Sequence, residues 1–303
     1  NTSAELTGDD YAIKPENVTA TYTGSNNKPA ITGTVNINGT ATIGQTLTVN
    51  TDNIASSEPG ELTFKWFRGN EIIKGETEKT YTLTAADYGA IIKVEVSAAN
   101  YSETLTATTS TVDKKDYTGE AATAATVSTT DSTVNVTNLT SGQEYAITTA
   151  TEEPADGWNR TGLFVNLNAN TAYTVYTRVA ATDEMKASQS VTTAVTTDKL
   201  TQTISLTQSA VTVTYGKTLD LATICSTNAE GNTLSYSRKG TLPTGTTFTG
   251  SLVDATKASE TGSFTVEVSA GEHGDYEAAV TQTVTVNIAE KPAATVTKLP
   301  TAV

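Results

Sequence analysis

The chain has 303 residues, a net charge of −14 and a pI near 4.5. Its 19 Lys and Arg form no basic patch with interleaved aromatics, which excludes a nucleic-acid partner, because phosphate binding needs clustered cations. One cysteine precludes an internal disulfide, one histidine removes the usual Ser-His and Cys-His pairs of nucleophilic catalysis, and no apolar run approaches the ~20 residues of a membrane-spanning helix.

About one residue in five is threonine, a β-branched strand former, and no long window carries helical periodicity. An all-β chain is expected, and its length suits three sandwich modules of ~100 residues each. The acidic excess reads as a solvated, self-repelling surface.

Residues 1–30 are polar, with one short strand expected over 18–23, and read as a junction. The opening carries no apolar signal core, so the chain is expected to be a segment of a longer protein. From Ile31 the pattern sharpens. Leu47 and Val49 share one face, Leu62, Phe64 and Trp66 another, and Arg68-Gly69-Asn70 reads as a turn. Tyr81 and Leu83 alternate with threonines, residues 85–89 turn the chain, and Ile92, Val94 and Val96 alternate with Lys93 and Glu95. That is a half-buried strand, a corner and a second half-buried strand.

Gly44-Gln45-Thr46-Leu47, Trp66 and Asp87-x-Gly89, in this order, resemble the immunoglobulin-like repeats of Gram-positive bacterial surface proteins. The resemblance covers about 85 residues, 31–114. It implies a sandwich without the disulfide of antibody domains, in which Trp66 packs on aliphatic side chains. Trp66, Tyr81, Asp87 and Gly89 are then structural, with Asp87-Tyr88-Gly89 a corner that sets register.

Residues 112–125 form a polar junction whose Tyr117-Thr118-Gly119 echoes Tyr22-Thr23-Gly24, a sign of a tandem array. Over 115–199, Val134 alternates with Val136 and Tyr145 with Ile147. Leu167, Thr171, Tyr173, Val175 and Val179 follow a pattern similar to the late strands of fibronectin type III modules. The resemblance implies that Tyr173 is structural, its hydroxyl bonding back to the backbone. Thr177 falls at an inward parity. Over 200–290, Val211-Val213-Tyr215, Phe264-Val266-Val268 and Val284-Val286-Ile288 alternate. Leu242-Pro243-Thr244-Gly245 with the strand around Phe264 resembles the immunoglobulin- or cadherin-like repeats of bacterial surface proteins. Residues 291–303 read as a linker to a next module. The expected fold is therefore three serial immunoglobulin-like β-sandwiches in an elongated array.

The chemistry-bearing residues are few. His273 sits among Glu272, Asp275 and Glu277 without zinc-type spacing and reads as a solvated loop. Cys225 has no neighbouring cation and reads as a small buried hydrophobe. Asp9, Asp10, Asp113 and Asp116 lie near junctions, where calcium sites of cadherins occur, but no calcium-loop motif is present. Lys217 and Asn287 fall on early and late strands of the third module, the placing of an isopeptide staple, without a diagnostic motif. Trp158, with Asn159 and Arg160, has two readings: an aromatic platform for a sugar ring, or a strand residue packed inward. No metal, cofactor or catalytic residue is expected. The resemblances imply a structural stalk or adhesin segment, monomeric, extracellular and wall-associated or secreted, whose partners are neighbouring modules and glycans or host surface proteins. The alternative is a set of binding modules accessory to a polysaccharide-active enzyme.

Overall fold

A computed structural model describes residues 28–290. The strand expected over 18–23, Asp9, Asp10 and the linker 291–303 lie outside them. Among the described residues the only regular elements besides strands are two 3-10 turns, Ala85–Asp87 and Leu221–Thr223. The described residues divide into two compact units, 28–118 with 181–187, and 119–180 with 188–290.

The first unit holds β1 (Asn36–Asn38), β2 (Thr46–Asn50), β3 (Leu62–Arg68), β4 (Glu71–Ile72), β5 (Thr80–Thr82), β6 (Ile91–Ala98) and β7 (Leu105–Thr111). They form two antiparallel sheets, ordered β1-β2-β5 and β4-β3-β6-β7. In immunoglobulin lettering these are A-B-E and C′-C-F-G. The two-residue period does the work. Leu47, Val49 and Tyr81 of one sheet face Phe64, Trp66, Ile92, Val94 and Val96 of the other, and all are buried in one core. Trp66 stands opposite Val94, is fully buried, and its ring lies 5.5 Å from that of Tyr81. A side chain of this size buries roughly 150–250 Å², worth about 4–6 kcal/mol of transfer free energy.

The second unit contains two cores. The first is built on β8 (Val127–Thr129), β9 (Val134–Val136), β10 (Gln143–Thr148), β11 (Leu163–Phe164), β12 (Ala172–Val179) and β13 (Val191–Thr196). The sheets β8-β9-β11 and β10-β12-β13 are A-B-E and C-F-G, the fibronectin type III-like arrangement. Val134, Val136, Tyr145, Phe164 and Val175 fill the space between them.

The remaining strands are β14 (Ile204–Leu206), β15 (Ala210–Val213), β16 (Thr218–Asp220), β17 (Cys225–Thr227), β18 (Ser235–Lys239), β19 (Thr247–Thr249), β20 (Leu252–Asp254), β21 (Gly262–Ser269) and β22 (Gln282–Ile288). They form β14-β17, β16-β20-β19 and β15-β22-β21-β18. The first strand of this sandwich changes sheets. Its early part pairs antiparallel with β17, and its later part pairs parallel with β22, Val211 opposite Val286. Alternation alone cannot distinguish this from an all-antiparallel order, because parallel and antiparallel neighbours bury the same residues. Phe264, Val266, Val268, Val284, Val286 and Ile288 are all buried here. Gly245, at the end of the Leu-Pro-Thr-Gly segment, has φ +77°, and the Lys257 carbonyl occupies the place a Cβ would take.

Candidate functional site

The most developed polar constellation surrounds Asp87. Arg68 closes β3 rather than forming a turn, and it shares the inward parity of Phe64 and Trp66. At the end of the core it meets the 3-10 turn that follows β5. Asp87 Oδ1 accepts from Arg68 Nε and Nη2, both at 2.8 Å. Oδ2 accepts from the Tyr81 hydroxyl at 2.8 Å, the Thr84 N–H at 2.7 Å and the Thr84 hydroxyl at 3.0 Å. Asp87 is 0% exposed. Burial alone would raise its pKa, but the bonds from Thr84, Arg68 and Tyr81 outweigh it and hold the carboxyl below its usual range. Burial, then the adjacent Asp87, pushes the Tyr81 phenol up to about 12. A carboxylate with both oxygens saturated has no capacity left for a substrate. The arrangement is therefore a staple between strand and corner.

Gly89, grouped with the core residues in the sequence, is exposed. Its φ of +77° lets the chain leave the corner, and its N–H donates to the Val112 carbonyl at 2.9 Å. Tyr173 is half-buried and lies outside the core cluster; its hydroxyl accepts from the Asn168 N–H at 3.0 Å, the corner bond expected of it. The tyrosine of that core cluster is Tyr145, 1% exposed, whose hydroxyl accepts from the Thr140 N–H at 3.0 Å. Both tyrosines have inward parity in their own strands, and only the depth of the sandwich at each position separates them. Thr177, opposite Tyr145, is fully buried with no partner for its Oγ1.

Trp158 follows neither expectation cleanly. It lies in the loop between β10 and β11, half-buried and outside the core cluster. The Arg178 guanidinium stacks 3.7 Å from the ring centroid, and the indole N–H donates to the Pro154 carbonyl at 3.0 Å. Arg178 is itself held by Glu144 at 2.7 Å and Glu153 at 3.0 Å. One face of the indole is thus committed to a cation–π contact. The Asn159 side-chain oxygen accepts from the Thr161 N–H and hydroxyl and the Gly162 N–H, at 2.8–3.0 Å. Arg160 is exposed. The three residues are neighbours in sequence, but two of the three side chains are engaged in holding the loop.

Two of the other candidates are likewise occupied. Asp113 and Asp116 both bind Lys186, at 2.7 and 2.9 Å. His273 is exposed in a hairpin, where its backbone pairs with that of Tyr276. Lys217 is exposed in the turn before β16, so it lacks the buried setting of an isopeptide lysine. Cys225 is 8% exposed beside Tyr236, and burial pushes its thiol up. It borders an open depression of about 470 Å³ shared with Ser226, Glu230 and Ser251. Among the described residues no cluster of three His, Cys, Asp or Glu side chains is disposed to hold a metal ion.

No family model matches this chain, and no curated protein matches it. Among solved structures it is similar to the three N-terminal domains of the bacteriophage RB49 highly immunogenic outer capsid protein (Hoc), at 16% identity and a TM-score of 0.26, covering 85% of this chain and 99% of that one. It is also similar to the I-band fragment I67–I69 from titin, at 10% identity and a TM-score of 0.27, covering 86% and 97%. The chicken CNTN1 FN1–FN3 domains align at 12% identity and a TM-score of 0.21, covering 85% and 98%. Likeness at this level transfers no ligand and no residue role. The immunoglobulin-like assignment stands on the strand orders given above.

Proposed function

We propose that this chain is a non-catalytic structural segment, a stalk or spacer of a bacterial surface or secreted protein, monomeric and extracellular. One observation carries this reading: each of the three sandwiches closes its own core, and the Asp87 and Arg178 constellations are each spent inside one module. A chain of self-contained sandwiches extends reach without needing a shared site, since each module draws its stability from itself and its neighbours. The acidic surface keeps the exposed sheet edges apart. In the third sandwich β15 and β22 run parallel, so tension along the chain loads their hydrogen bonds together rather than in succession.

The second reading, binding modules for glycans or host surface proteins accessory to a polysaccharide-active enzyme, rests on Trp158, Asn159 and Arg160. The Arg178 stack and the saturated Asn159 amide weigh against it. A glycan and matrix-protein binding screen of the full chain tests both. The spacer reading expects no saturable binding. Saturable binding abolished by Trp158→Ala, in a chain whose melting is unchanged, would overturn it.

A further inference from the structure

The segment leading into each sandwich makes the same contact three times. Ala30 forms a parallel bridge with Ser102, Lys115 with Met185, and Leu200 with Tyr276. The three partners occupy equivalent places, the hairpin loops joining β6 to β7, β12 to β13 and β21 to β22. Positions 30, 115 and 200 are spaced by 85 residues at each step, although the three sandwiches differ in sheet order.

The hydrogen bonds repeat as well. The Lys115 N–H donates to the Glu184 carbonyl at 2.9 Å, and the Lys186 N–H donates to the Lys115 carbonyl at 2.9 Å. The Leu200 N–H donates to the Asp275 carbonyl at 2.7 Å, and the Glu277 N–H to the Leu200 carbonyl at 3.0 Å. At the first hairpin the roles of the two strands are exchanged: the Ile31 N–H donates to the Ser102 carbonyl at 3.0 Å, and the Ser102 N–H to the Pro29 carbonyl at 2.8 Å. In each case a lysine one or two residues before the bridge reaches the hairpin. Lys28 donates to the Ala99 carbonyl at 2.6 Å, Lys114 to the Thr182 carbonyl at 2.5 Å, and Lys199 pairs with Glu272. At the second hairpin Lys115 also pairs with Glu184 at 3.1 Å, and Lys186 lies between Asp113 and Asp116.

We infer that the hairpin between the last two strands of each sandwich is a receptor for an extended, lysine-bearing chain segment, and that its occupant is the segment immediately preceding that sandwich. The mode is strand addition reduced to one bridge. Main-chain bonds supply the register, and the lysine meeting hairpin carbonyls or a carboxylate supplies the preference for a basic occupant. Spacing and chemistry recur together where loop sequences do not, so the contact is a property of the repeat and not of one loop. The ion pairs are exposed and weaken with salt, whereas the main-chain bonds are not screened in this way.

Hydrogen exchange of the full chain tests this residue by residue. The amides of Lys115, Lys186, Leu200 and Glu277 are expected to exchange at least roughly tenfold more slowly than in an unstructured chain. Exchange nearer the unstructured rate at these four positions would overturn the inference, and the measurement needs no substitution that might unfold the chain. Lys186→Glu then places a third carboxylate beside Asp113 and Asp116. It should speed exchange at Lys115 by about threefold or more while leaving Val94 and Val175 unchanged. Unaltered exchange at Lys115 would overturn the ionic part of the inference.

Discussion

Replacing Asp87 with alanine should be the most damaging single change in the first sandwich. The substitution removes the acceptor for five donor contacts at once. The Tyr81 hydroxyl sits in a residue only 4% exposed and cannot turn to water, and the Thr84 N–H also loses its partner. Each buried donor left unsatisfied costs about 1–3 kcal/mol. The Arg68 side chain is 36% exposed and rehydrates, so its loss adds little. The sum is about 3–5 kcal/mol, the range for breaking a buried pair by removing one partner. That is a large share of the ~5–15 kcal/mol that holds a domain folded. Asp87→Asn keeps the shape but turns one acceptor into a donor, and should cost about 2–3 kcal/mol. Tyr81→Phe should cost about 1 kcal/mol. The assay is urea unfolding of the full chain followed by Trp66 fluorescence in a Trp158→Phe background, which isolates the first core. The same staple predicts an acid limb. The folded Asp87 carboxyl is depressed below the ~3.9 of an unfolded aspartate, so its contribution is complete above that value and drains as pH falls through the folded one. Asp87→Asn should lose this limb. An Asp87→Ala cost below about 1 kcal/mol, or a Tyr81→Phe cost equal to it, would refute the reasoning.

Four further outcomes are expected. Thr177→Val exchanges a buried, partnerless hydroxyl for a methyl of the same shape and should stabilise the second sandwich by about 1 kcal/mol in thermal melting; destabilisation would mean that the hydroxyl has a partner such as a buried water. Tyr145→Phe removes a hydroxyl that is sealed in the core and leaves the part-buried Thr140 N–H without its acceptor, and should cost about 1 kcal/mol, more than Tyr173→Phe, whose bond from the Asn168 N–H is exposed and replaced by water; equal costs would contradict the difference in depth. Arg178→Ala uncovers one indole face, so Trp158 emission should shift to the red and acrylamide quenching should rise, at a stability cost of about 1 kcal/mol; unchanged quenching would place the guanidinium elsewhere. Cys225, buried and with its thiol pushed up, should react with a disulfide reagent on the order of 100-fold faster in urea than in the native chain, and equal rates would contradict its burial.

The strand faces are legible in the sequence itself. Leu47 and Val49, Ile92 to Val96, Phe264 to Val268 and Val284 to Ile288 declare themselves by a period of two, because the pleat sends alternate side chains to opposite faces whatever the strand pairs with. The corner at residues 85–89 is equally local, since Thr84, Asp87 and Gly89 carry its hydrogen bonds and its left-handed residue within one turn. The rest depended on closure of the sandwich. Arg68 looked like a turn residue because its partner Asp87 comes from the corner after the opposite sheet, and no local pattern encodes a contact 19 residues away. Tyr145 and Tyr173 both alternate correctly, yet only one lies deep enough to be sealed from water. Trp158 fits platform and core alike in sequence, and only the tertiary structure brings Arg178 of β12 over its ring. The parallel β15–β22 pair and the three hairpin bridges belong to the same class. Period and turn chemistry act between near neighbours and are written residue by residue, whereas these contacts join groups brought together only when two sheets, or a segment and a hairpin, meet in space.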